Sequence, residues 1–209
     1  CSILMVLKGD VRWTKLKVRQ AVNYAIDKES IIKNVLYGMG IPVTGQLAGP
    51  KSFGHNPNLK PYPYDLARAK KLMAEAGYAD GFTMTLDATN NRYVNDAQIA
   101  QALASMLAKI NIDLQLNIMP KSNFWGYIRV PTENSSFIMS GWDVPAGDAG
   151  SMYGALFYTR DKKEGYGQVN RGSYSNPELD ALVDKADATP SIEERDQYLQ
   201  EASKLLLND

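Results

Sequence analysis

The 209-residue sequence predicts an α/β fold, a mixed or parallel sheet flanked by helices, on two observations. Between Phe82 and Ser140, segments with a two-residue apolar period alternate with segments of helical period, in the order strand, helix, strand, helix, strand. That order is the signature of parallel strands joined by helical crossovers. A hydrophobic content of 44% is also enough to bury a real core in one α/β domain spanning residues 1–209.

The elements follow in chain order. Ile3 to Leu7 reads as a buried strand. Lys17 to Tyr37 has apolar residues at helical spacing, with a phase shift at Asp27-Lys28-Glu29-Ser30. Asp27 can cap a second helix, so two helices or one broken helix are expected, ending at Gly38 or Gly40. Pro42 to Pro63 holds five prolines and three glycines and is expected to be a long irregular loop packed on something else. Asp65 caps a helix from Leu66 to Ala76, with Gly77 at its end. Phe82 to Leu86 alternates as a strand, and a helix runs from about Asp96 to Lys109. Ile112 to Met119 is a second strand, Ser122 to Val130 a short helix, and Ser136 to Ser140 a third strand. Ala149 to Tyr158 is expected to be helical and residues 159–174 to be loop. Asn176 before Pro177, and Ser191 with Glu194, mark the starts of two more helices. The last of these should turn Ile192, Tyr198, Leu199, Ala202, Leu205 and Leu206 inward.

Composition narrows the function. Lys+Arg and Asp+Glu both number 23, so the chain lacks the basic surface a nucleic-acid binder needs. No apolar run approaches the ~20 residues of a membrane-spanning helix. One cysteine excludes an internal disulfide framework and a Cys-rich zinc site. The one histidine, His55, sits among turn formers and reads as a solvated loop residue. No metal site and no cofactor is implied. Cys1-Ser2 has the form of a mature lipoprotein start. The strand-like Ile3 to Leu7, with no polar linker behind it, weighs against that. A cut within a longer chain or a cloning remnant explains the same residue, and the end within an amphipathic helix at Leu205 to Asp209 favours a fragment.

The chemistry-bearing stretch is Ser140-Gly-Trp-Asp-Val-Pro-Ala-Gly-Asp-Ala-Gly-Ser151. Asp143 and Asp148 suit an acid/base pair in a hydrolytic enzyme. The structural reading is Asp148 capping the following helix and Asp143 forming an Asx turn. Neither a phosphate loop nor a calcium loop matches. Ligands of open α/β sheets bind beyond the carboxyl ends of the strands. Trp142, Asp143 and Asp148 follow one strand, and Asn91, Arg92 and Tyr93 follow another, so these six are the candidate ligand-binding residues. The twelve tyrosines suit a surface meeting a polar ligand, while some, such as Tyr24 and Tyr198, also suit the core.

Four blocks carry a family resemblance: Val18-Arg-Gln-Ala-Val-Asn-Tyr-Ala-Ile-Asp-Lys28, then Tyr64 to Phe82, then Gly141-Trp142, then Tyr174-Ser-Asn-Pro-Glu-Leu-Asp-Ala-Leu182. Their order resembles family 5 extracellular solute-binding proteins, the peptide-, dipeptide- and nickel-binding components of bacterial ABC importers. The resemblance implies a periplasmic-binding-protein-like lobe: most of the second lobe of a two-lobe receptor, monomeric as a fragment. It implies a short peptide or related polar solute as ligand and ABC permease subunits as partners. The parent would be periplasmic or extracellular, with a lipid anchor as one reading of Cys1. In peptide-binding relatives an aspartate four residues past the glycine of Gly-Trp receives the ligand ammonium; Pro145 stands there, with Asp143 and Asp148 on either side. Some relatives bind the peptide carboxylate through an arginine two residues before that glycine, where this chain has Met139. The pattern of residues 89–96 with Gly141-Trp142 and Gly147-Asp148 looks closer to a subgroup for glutathione or short peptides.

Overall fold

The computed structural model describes residues 2–7, 10–129, 137–144 and 147–209, with side chains from residue 10 onward. Cys1, Ser136 and Pro145 lie outside the described residues. The chain divides into two compact units: residues 3–42 with 62–141, and residues 1–2, 43–61 and 142–209.

The first unit holds the sheet, in the order β1-β4-β2-β3, where β1 is Ser2–Leu7, β2 Phe82–Thr89, β3 Ile112–Met119 and β4 Phe137–Trp142. Strand β2 runs parallel to β3 in register from Phe82↔Ile112 to Thr89↔Met119, and parallel to β4 at Asp87↔Ile138. The parallel pairing follows from the helices that separate these strands, α4 (Asp96–Leu107) and α5 (Lys121–Tyr127). Successive side chains of β4 take opposite faces. Phe137 and Met139 therefore join the main core with Trp13, Leu86 and Leu103, while Ile138 joins Phe124 and Ile128. A strand covered on both faces needs this continuous apolar run.

The expected break before Ser30 is present. Helix α1 (Leu16–Ala25) ends, and Asp27 accepts the Ser30 N–H at 2.9 Å to start α2 (Lys28–Asn34). The second helix is shorter than expected, stopping before Tyr37 and Gly38. Asp65 caps α3 (Leu66–Glu75) through the Arg68 N–H, and its own N–H bonds the Tyr24 carbonyl at 2.9 Å. Tyr24 is buried in the core. Gly81, at φ +74°, leads into β2 where a Cβ would lie 1.6 Å from the Asn111 carbonyl oxygen. Only glycine lets the entries to β2 and β3 approach this closely.

The second unit is helical. Helices α6 (Ala149–Leu156), α7 (Pro177–Ala188) and α8 (Ile192–Asn208) pack around Met152, Tyr153, Leu179, Val183, Leu199 and Ala202. Asn176 accepts from the Glu178 and Leu179 N–H groups, and Ser191 accepts from Glu194 N–H, as the capping signals require. Ile192 is a correction: it is 69% exposed, because the first turn of α8 projects beyond the packed stripe centred on Leu199 and Ala202.

The proline-rich segment packs on α8, which is what a loop of that length needs. Gly54 donates to Asp196 at 2.9 Å, and a Cβ on Gly54 would lie 2.8 Å from Leu199. Gln46 and the Asn56 backbone exchange two hydrogen bonds, and the Asn56 amide reaches the Gln200 carbonyl. His55 is half-buried, with Nδ1 2.9 Å from the Ala48 carbonyl oxygen, so it is tied into this segment rather than fully solvated. Residues 159–174 remain without regular structure, but α7 fastens their surroundings: Asp180, Asp184 and Asp187 accept from Thr159 N–H, Tyr158 and Tyr166.

Candidate functional site

In the sheet unit, the loop after β2 is built on one buried carboxylate. Asp96, 1% exposed at the start of α4, accepts from the Thr89 hydroxyl at 2.6 Å. It also accepts from the N–H groups of Arg92, Tyr93 and Ala97 at 3.0, 3.1 and 3.0 Å. Burial by itself would raise its pKa, but the hydrogen bonds from Thr89, Arg92, Tyr93 and Ala97 outweigh that and hold it below the ordinary carboxylate value. A charged acceptor inside the loop therefore dictates how residues 90–95 fold back on the strand end.

That loop joins the carboxyl ends of all three strands of the parallel set. Asn90 N–H donates to Met119 at the end of β3. Asn91 Oδ1 accepts the Lys121 N–H at 2.8 Å, at the start of α5. The Tyr93 phenol oxygen accepts the Gly141 N–H at 2.8 Å on β4. Asn91 and Tyr93 thus spend polar groups on the scaffold. The Arg92 guanidinium stands over the Tyr93 ring, 5.1 Å from its centroid, with the side chain exposed.

In the helical unit, Trp142 packs against the core around Met152 and Leu199. Its indole Nε1–H is buried and has no hydrogen-bond partner among the described residues. Asp143 follows it and is exposed. The segment then pairs with the proline-rich loop: Phe53 N–H donates to Gly147 at 2.7 Å, and Ala149 N–H donates to Phe53 at 3.1 Å.

Asp148 caps α6, accepting the Gly150 N–H at 2.8 Å, which is the capping reading of the sequence. It also receives Arg195 of α8 on both oxygens, at 2.7 and 3.1 Å. Gly150 makes room for this pair, since a Cβ there would lie 2.6 Å from Arg195 Nη2. Burial alone would raise the Asp148 pKa, but Arg195 and the Gly150 N–H hold it below the ordinary value. A carboxylate kept ionised and occupied in this way is unsuited to carrying a proton in acid catalysis.

The six sequence candidates therefore divide by unit. Asn91, Arg92 and Tyr93 lie together in the sheet unit, and Trp142, Asp143 and Asp148 lie together in the helical unit. Sequence reasoning overlooked Asp96 and Arg195. Asp96 had a local signal, an acid in the first turn of a helix behind a strand-end loop. Arg195 had none, because its partner is 47 residues away. Among the described residues no cluster of His, Cys, Asp and Glu could hold a metal ion.

Residues 8–164 match the model for bacterial extracellular solute-binding proteins, family 5 middle. The glutathione-binding protein GsiB of Pectobacterium atrosepticum is 31% identical over 90% of this chain, which spans 37% of that protein. A dipeptide-binding protein from Pseudoalteromonas, solved with Met-Leu, superposes with a TM-score of 0.85 at 26% identity, over 99% of this chain and 40% of its own. The periplasmic binding protein DppA of Helicobacter pylori, solved with the peptide STSA, superposes with a TM-score of 0.89 over 99% of this chain and 39% of its own. At 24% identity, that last likeness speaks for the fold.

Proposed function

The chain belongs to the bacterial extracellular solute-binding proteins of family 5, and on that premise we propose that it is part of an ABC importer's substrate-binding component. In this reading it supplies most of the second lobe of a receptor that captures a short peptide or related polar solute and delivers it to membrane permease subunits. The receptor works outside the cytoplasmic membrane and performs no catalysis. The 37% share of the glutathione-binding relative spanned by the chain supports the one-lobe reading.

The observation that carries the proposal is the loop after β2. It is fixed by Asp96 and Tyr93 at the carboxyl ends of the parallel strands, where α/β folds bind ligands. We assign the exposed side chains of Asn91 and Arg92 to ligand contact, with Tyr93 positioning them. In the helical unit, Asp143 is the candidate for a ligand ammonium, because it is an exposed carboxylate directly after the Gly141-Trp142 pair. Trp142 supplies an apolar wall and Asp148 holds the loop behind it.

The test is calorimetry of the longer protein that contains this chain, against di- to pentapeptides, glutathione and nickel. Binding of a peptide or glutathione is expected. Asp143→Asn should weaken a ligand with a free amine by about tenfold, roughly 1.4 kcal/mol, and spare its N-acetylated form. Failure of every peptide and of glutathione to bind would overturn the ligand class, and equal losses for the free and acetylated ligands would remove the ammonium role. Turnover of a chromogenic ester or peptide would revive the hydrolytic reading.

A further inference from the structure

We propose that the sheet unit carries a groove beside Tyr37 that binds a neutral polyhydroxylated ring ligand, a short saccharide. It uses none of the residues assigned above. The groove has a volume of ≈ 410 Å³ and is lined by Asn34, Tyr37, Asn95, Gln98, Gln101 and Ser105. That volume falls within the ~300–1,000 Å³ of small-molecule sites.

Three features set this surface apart from an ordinary solvated face. Tyr37 is held in the left-handed region at φ +52°, which disfavours residues with a Cβ, and yet its side chain is 77% exposed. Packing therefore does not explain the tyrosine. Tyr37 also lines a second depression of ≈ 640 Å³, together with Glu29, Ile32, Lys33, Gly38 and Pro42.

Helix α4 presents Gln98, Gln101 and Ser105 on one side, three and four residues apart, opposite the buried Ile99, Leu103 and Leu107. The outer face of a surface helix is normally charged, but the only charged residue of α4 is the buried Asp96. Among the described residues, the Gln98 and Gln101 carboxamides have no hydrogen-bond partner in the protein.

The third feature is rigidity. The Asn95 carboxamide donates to the Val35 carbonyl at 2.7 Å, tying the start of α4 to the end of α2. The backbone two residues before Tyr37 is thereby tied to the start of the helix that carries the amide row.

This chemistry matches a sugar. A carboxamide donates and accepts at once, as does each sugar hydroxyl. An exposed tyrosine offers an apolar face to the C–H side of the ring and a hydroxyl at its edge. A charged ligand would find no counter-charge in the 410 Å³ groove, whose lining is uncharged throughout.

The test is a titration of the ¹⁵N-labelled longer protein that contains this chain with maltotetraose, cellotetraose and tetra-N-acetylchitotetraose, and with tetraalanine as a neutral peptide control. At least one saccharide should shift the amides of residues 34–37 and 98–105, with a Kd on the order of 1 mM. Tyr37→Asn removes the ring while keeping a residue that tolerates positive φ. Gln98→Ala and Gln101→Ala change exposed carboxamides only. Each should weaken binding at least about fivefold with melting unchanged. No shift at these amides with any saccharide, a shift that survives all three substitutions, or an equal response to tetraalanine would overturn the proposal.

Discussion

Arg195 and Asp148 form a two-pronged ion pair, with Nη1 2.7 Å from Oδ2 and Nη2 3.1 Å from Oδ1, joining α8 to the start of α6. The same carboxylate caps α6, and the Arg195 guanidinium lies 5.2 Å from the centroid of Phe53. One arginine thus braces the loop after Trp142 and the proline-rich segment together. Loop shape, more than proton transfer, is what this aspartate controls.

Asp148→Asn retains a capping oxygen and loses the ion pair, and should cost about 1 kcal/mol, since both side chains are partly solvated. Asp148→Ala loses both and should cost about 2 kcal/mol. Because Asp148 has a depressed pKa in the folded chain, its contribution is present above the ordinary carboxylate range and is lost as pH falls through the folded value. Urea denaturation from pH 7 down to about 3 should show the gap between wild type and Asp148→Asn closing as pH falls. A gap that widens toward acid would contradict the pairing.

Asp96→Asn places an amide where three backbone N–H groups and a hydroxyl all donate, and should destabilise by about 2–3 kcal/mol. Faster hydrogen exchange at the Arg92 and Tyr93 amides than at the α4 interior is the diagnostic readout. The pH sign matches Asp148, because Asp96 is also depressed. Unchanged exchange at those two amides would separate Asp96 from the loop.

Tyr93→Phe removes the acceptor of the Gly141 N–H and should cost about 0.5–1.5 kcal/mol. Exchange at Gly141 should rise while the amides of β2 stay protected. In the longer receptor, ligand affinity should fall with it if the loop positions Arg92. Loss of stability with affinity intact would make Tyr93 purely structural.

Gly81→Ala drives a Cβ to 1.6 Å from the Asn111 carbonyl oxygen at a residue with φ +74°. Backbone must move, so a cost above about 3 kcal/mol and loss of soluble expression are expected. Gly77→Ala is the control, since it shares a positive φ but meets nothing within 4 Å of its Cβ. Equal stability for the two variants would refute the close-approach argument.

Much of the candidate site was legible because its signals are local. The loop after β2 and the Gly-Trp pair were located from strand order, and the capping role of Asp148 from its place before an apolar helix. The division of labour among the six residues was hidden. Nothing near Asn91 or Tyr93 in sequence shows that they bond Lys121 and Gly141, 30 and 48 residues away. Ile192 misled because periodicity assigns a face to every turn of a helix, whereas packing covers only the turns that meet a neighbour.

Apolar period, capping residues and glycine placement were enough to establish the α/β order, the break before Ser30, and the helix starts at Asp65, Asn176 and Ser191. Each depends on interactions within a few residues, which a linear sequence displays directly. Tertiary structure alone decided that Asp148 answers to Arg195 and that Asp96 rather than a surface residue organises the loop after β2. Those outcomes depend on which distant groups share a low-dielectric neighbourhood, where a charge must find its donors, and that is set only once the chain has packed.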